Sequence, residues 1–185
     1  MKKTLLLVMA LVSGVFISEA QESRYGVRVG ANISAISSDN IPEELEDGRI
    51  GVVVGFFADF ALNSNLRIQP ELQYSGQGNK EKDLRVNYIQ LPVLLKYNIT
   101  DIFNIQLGPQ AGIKIWEWED NQNGNTDFGT FDFAGVAGIG VNITDNFFMD
   151  LRYALGLSNI FDENNLGIDL EGKSRNIQLS VGYRL

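Results

Sequence analysis

Apolar and polar residues alternate along most of the chain. Val27, Val29, Ala31 and Ile33 interleave with Arg28, Gly30, Asn32 and Ser34, and near the C-terminus Ile177, Leu179, Val181, Tyr183 and Leu185 interleave with Asn176, Gln178, Ser180, Gly182 and Arg184. A period of two sends successive side chains to opposite sides of an extended strand, so each stretch has one apolar and one polar face. Strands are expected over residues 24–35, 49–60, 65–76, 84–98, 103–116, 131–143, 147–160 and 174–185.

The connections alternate between short and long. Leu62-Asn63-Ser64, Asn98-Ile99-Thr100-Asp101 and Thr144-Asp145-Asn146 are short and carry tight-turn residues, whereas 36–48, 77–83, 117–130 and 161–173 are longer and polar. Eight antiparallel strands joined this way predict an up-and-down transmembrane β-barrel, with short periplasmic turns and longer external loops. An Asn-Ile-Thr-Asp echo, at Asn98–Asp101 and Asn142–Asp145, reads as shared turn chemistry or an old hairpin duplication.

The N-terminus supports export. Met1-Lys2-Lys3 is positive, Leu5 to Ile17 is almost wholly apolar, and Ser18-Glu19-Ala20 offers small residues for cleavage. The expected division is a signal peptide over 1–20 and a barrel domain over 21–185. The apolar run is shorter than the roughly 20 residues that span a bilayer. No cysteine follows it to accept a lipid anchor, and no later run is long enough for a membrane helix. Insertion must then be by strands in a closed barrel, where every backbone polar group is satisfied. The expected location is the outer membrane of a Gram-negative bacterium, with lipid and the barrel-assembly machinery as partners.

Alternation alone leaves open a soluble, lipocalin-like ligand carrier with the apolar face turned inward. Aromatic placement decides between them. Tyr25, Phe60, Tyr97, Phe103, Phe147 and Tyr183 cluster at the short-turn ends of the apolar face, as rings do at a membrane boundary. Core aromatics would sit mid-strand. Trp116 and Trp118 are expected to anchor a loop at the opposite boundary. The polar face mixes Arg28, Arg67, Glu71, Lys96, Lys114, Asp150 and Arg152 with glutamines and glycines, which suits a barrel interior of paired charges. Pro70 and Pro109 fall on the lipid face and Pro92 on the inner face, each where a missing N–H is tolerated.

Charge and composition narrow the function. The chain carries a formal −8, and without the leader 13 basic and 22 acidic residues leave −9, many of the acids in the long connections. Such a balance argues against nucleic acid. The chain has no histidine and no cysteine, which removes histidine-dependent hydrolysis, thiol chemistry and their metal sites. Glu71 with Asp150 could form a carboxylate pair, but the arginines around them favour a salt-bridge network. The stretch 117–130 has the Asn, Asp and Gly of a calcium loop without EF-hand spacing, and plain turn chemistry explains it better. No enzyme activity, cofactor or metal is expected. A plugged lumen is expected because eight strands enclose only enough space for side chains. A narrow ion path is the alternative.

Tyr25-Gly26-Val27-Arg28-Val29-Gly30-Ala31-Asn32, Tyr88 through Tyr97 with its Leu-Pro-Val-Leu-Leu-Lys-Tyr run, Gly108-Pro109-Gln110-Ala111-Gly112 and Val181-Gly182-Tyr183-Arg184 together resemble the PorT-like barrels of the Bacteroidetes, of OmpA and OmpX shape. That resemblance implies the fold and the outer-membrane location, and it suggests an accessory role in a secretion or assembly complex. Leu185 stands where many such barrels end on an aromatic residue, and Tyr183 is the candidate substitute. The favoured expectation is a non-enzymatic barrel whose external loops contact protein partners or surfaces, or which stabilises the envelope.

Overall fold

The computed structural model describes residues 23–37, 49–78, 85–117, 131–157 and 173–185. Eight strands make it up: β1 (Ser23–Ser37), β2 (Arg49–Ala61), β3 (Leu66–Gly78), β4 (Arg85–Asn98), β5 (Phe103–Glu117), β6 (Phe131–Asn142), β7 (Phe147–Gly156) and β8 (Lys173–Arg184). They pair antiparallel in chain order and β8 closes on β1. The strand positions follow the alternation, except that β7 ends at Gly156 rather than near residue 160.

The stagger of the barrel follows from its register. Arg24 faces Asp59, Gln69 faces Leu94, Gly108 faces Val136, Val136 faces Ala154, Ala154 faces Asn176, and Asn176 faces Ser34. The ladders around Asp59 and Leu94 put these two level with Gln69 and Gly108. One circuit begun at Arg24 therefore returns to β1 at Ser34, ten residues farther on. Such a shear tilts the strands by about 35–45° and leaves an interior that side chains fill.

The short turns share one construction. Asn63 Oδ1 accepts from the N–H groups of Asn65 and Leu66, Thr100 Oγ1 from those of Ile102 and Phe103, and Thr144 Oγ1 from those of Asn146 and Phe147. The Asn-Ile-Thr-Asp echo is this turn written twice. Asparagine amides then link neighbouring turns: Asn65 donates to the Asn98 carbonyl, Asn142 to that of Asp101, and Asn146 to that of Arg184.

The faces sort as the alternation requires. Val29, Val52, Leu107, Leu151 and Leu179 are exposed on the outside, whereas Arg28, Gln73, Gln90, Asp150 and Gln178 are buried within. Apolar residues outside and polar residues inside is the reverse of a soluble carrier. No helix among the described residues is long and apolar enough to cross a membrane. The strands themselves, 10 to 15 residues long, reach across an apolar band about 25 Å tall.

Candidate functional site: the filled lumen and its two boundaries

A single ion-pair network crosses the barrel at mid-height. Arg28 of β1 donates to Glu71 Oε2 at 2.6 Å and to Ser180 Oγ of β8. Arg152 of β7 donates to both oxygens of Glu71 and to Asp150 Oδ2, each at 2.9 Å. Asp150 Oδ1 accepts from Gln106 of β5 at 2.6 Å. Lys96 of β4 donates to Gln69 Oε1 at 2.9 Å, and Gln69 in turn donates to Glu71. In a closed ring of eight, β3 and β7 are opposite walls, so the Glu71–Arg152 pair spans the whole lumen.

The energetics depend on completeness. A buried charge without a partner is costly, and a paired one is tolerated when its remaining hydrogen-bonding sites are also used. Every carboxylate oxygen of Glu71 and Asp150 accepts at least one donor here. The side chains of Arg28 and Glu71 are 0% exposed and that of Arg152 is 1%. A continuous water path through this level would wet them. Glycine provides the room: a Cβ on Gly138 would meet Arg152 Cγ at 2.8 Å.

Nearer the short turns, an aromatic layer underlies the ions. Phe57 and Phe148 meet edge to face, with centroids 5.4 Å apart. Lys96 Nζ lies 5.0 Å and Arg184 Cζ 4.6 Å from the Phe148 centroid, within cation–π range. The Phe148 ring occupies the space a side chain on Gly182 would need. Arg184 is fixed by the Asp145 carbonyl at 2.9 Å and Asn142 Oδ1 at 2.6 Å. Beyond it a recess of about 430 Å³ opens at the short-turn mouth, lined by Arg24 and Arg184 together with Asp101 and Asp145. Its lining thus carries two residues of each charge.

The seven interior residues expected from the sequence do not all meet. Arg28, Glu71, Asp150 and Arg152 join directly, and Lys96 joins through Gln69. Arg67 stands apart, paired with Asp59 at 2.7 Å near the short-turn mouth. Lys114 is half-buried toward the opposite end, with an interaction of its own there. Gln69, Gln106 and Ser180, which the alternation places on the polar face, complete the network. Unexpected from the sequence are the buried apolar residues inside: Val53, Phe57, Leu94, Val136 and Phe148. Their signal was available, since Phe57 and Phe148 lie in phase with Asp59 and Asp150.

The six short-turn aromatics all face outward next to their turns, with Tyr25 stacked edge-on to Phe60 and Phe147 against Tyr183 at 4.8 Å. At the opposite end Phe131 and Phe133 are exposed, and the Tyr74 hydroxyl donates to Asn87 Oδ1 on the outer surface. A register shift between Asn87 and Tyr88 pairs Asn87 with Trp116 while Tyr88 pairs with Lys114. The side chain of Trp116 lies outside those described. Trp118 and the calcium-like stretch 118–130 lie outside the described residues. Among the described residues no group of His, Cys, Asp or Glu is arranged to hold a metal ion.

A closed eight-stranded barrel, apolar outside, polar and filled within, and ringed by aromatics at one edge, is an integral membrane β-barrel. The chain belongs to the outer membrane protein beta-barrel domain family, whose model matches residues 19–162. Its location is the outer membrane. Neisserial surface protein A is similar over 89% of this chain and 99% of its own, at 13% identity and a TM-score of 0.58. Ail, the attachment invasion locus protein of Yersinia pestis, is similar over the same shares at 16% identity and a TM-score of 0.55. At such identities these likenesses carry the fold and not a ligand. No curated protein sequence matches the chain.

Proposed function

We propose that this outer-membrane barrel is non-enzymatic and non-conducting, and that it acts through its long external connections on protein partners or surfaces, or as an envelope-stabilising element. The carrying observation is the network from Glu71 to Arg28 and Arg152, which fills the lumen at mid-height with side chains shielded from solvent. With the interior so occupied and both central carboxylates engaged by arginine, the long connections are the available working surface. The short turns face the periplasm in this reading, residues 1–20 are the cleaved signal and 21–185 the barrel. Insertion into planar bilayers tests it: no step conductance is expected. Discrete conductance altered by Arg152→Gln would replace the reading with a narrow channel.

The β4 run Leu91-Pro92-Val93-Leu94-Leu95-Lys96-Tyr97 supports placing the chain among the PorT-like barrels, and with it an accessory role in a secretion or assembly complex. In-cell crosslinking from cysteines introduced in the long connections would then recover envelope proteins of such a complex. Recovery of lipid adducts alone would leave only the envelope role standing.

A further inference from the structure

We infer that the long-connection edge of the barrel binds phosphate-bearing lipid headgroups through Arg175. Arg175 is the only charged residue on the outward face among those whose side chains are described. It lies on β8 opposite Leu155 of β7 and Ala35 of β1, and is exposed. No hydrogen bond or ion pair engages its side chain among the described residues. An arginine placed this way faces either hydrocarbon or the headgroups at its edge.

Its height selects the headgroups. Arg175 stands eight residues from Tyr183 of the aromatic girdle. At about 3.3 Å per residue and a tilt near 40°, that is roughly 20 Å above the girdle. The apolar band is about 25 Å tall, so the far edge is within reach of a long side chain that keeps its stem in the apolar layer. Asn87 and Phe131 mark the same edge on β4 and β6. The girdle edge, by contrast, carries no charge on its outward face among the described residues. A basic position on the rim of an acidic chain matches an anionic leaflet, and phosphate is the group a guanidinium holds through two parallel hydrogen bonds.

The test uses the full chain folded in mixed micelles of phosphatidylcholine and lipid A, with retained lipid read by native mass spectrometry. Wild type is expected to retain lipid A over phosphatidylcholine, Arg175→Gln to lose that preference about fivefold, and Arg175→Lys to keep most of it. Equal retention by wild type and Arg175→Gln overturns the inference. A second arm compares urea midpoints in phosphatidylcholine vesicles with and without phosphatidylglycerol. The inference requires the anionic lipid to stabilise wild type and not Arg175→Gln. A destabilisation of the same size in both vesicles would make Arg175 a partner of acidic residues within the chain, and would also overturn it.

Discussion

The two faces of the barrel wall are both removed from bulk water, yet they follow opposite rules. Outside, Val29 or Leu107 meets hydrocarbon, and the surface tolerates no charge between its boundaries. Inside, a few ångströms away through the same backbone, Arg28, Glu71, Asp150 and Arg152 are buried as ions. The difference lies in partners. Hydrocarbon offers a charge nothing to bind, whereas the narrow lumen brings walls close enough for Arg152 to reach Glu71 on the opposite strand. What decides whether a charge is tolerated here is the presence of a partner, more than the absence of water.

The largest expected effect comes from leaving charges inside without partners. Glu71→Ala strips Arg28 and Arg152 of their shared carboxylate and should cost about 3–5 kcal/mol, read as a lower urea midpoint in vesicles. The triple change Glu71→Ala, Arg28→Met and Arg152→Met should recover much of that loss. If the triple variant is no more stable than the single one, packing rather than orphaned charge governs the lumen.

Adding a charge outside should be nearly as harmful. Val29→Arg, at the centre of the outward face of β1, should cost about 2–4 kcal/mol in the same unfolding experiment. An unchanged midpoint would mean that this face does not meet hydrocarbon. Gly182→Ala probes the inner packing, because its Cβ would overlap the Phe148 ring; about 1–3 kcal/mol of destabilisation is expected.

Two smaller changes sharpen the contrast. Thr144→Ala removes the side-chain acceptor for the Asn146 and Phe147 N–H groups at an exposed turn. It should cost about 0.5–1.5 kcal/mol and speed hydrogen exchange at those two amides. Gly135 lies on β6 opposite Pro109, and a Cβ there meets nothing within 4 Å. Gly135→Ala should therefore stabilise by about 0.4–1 kcal/mol through the unfolded chain. A loss of stability would show that the outer surface of β5 and β6 is packed against something.

Strand number, strand position, the assignment of faces and the short turns were all legible in the residues, because each is a local property. Alternation sets which side a residue takes from its immediate neighbours, and Asn63, Thr100 and Thr144 build their turns within a few residues. The same local logic placed Tyr25, Phe60, Tyr97, Phe103, Phe147 and Tyr183 at one edge. Which interior residues touch was not legible. Arg67 and Glu71 share a face of one strand, yet Arg67 bonds Asp59 while Glu71 bonds Arg28 and Arg152.

Those pairings were decided by closure. A stagger of ten residues per circuit fixes which level of β7 faces which level of β3, and no single strand records that number. The register shift between Asn87 and Tyr88 is likewise a property of two strands, set by how β5 must meet β4. The sequence by itself determined the wall and its two surfaces, through a period read one residue at a time. The tertiary structure alone decided the contacts across the lumen, because they depend on the tilt at which eight such strands close into a ring.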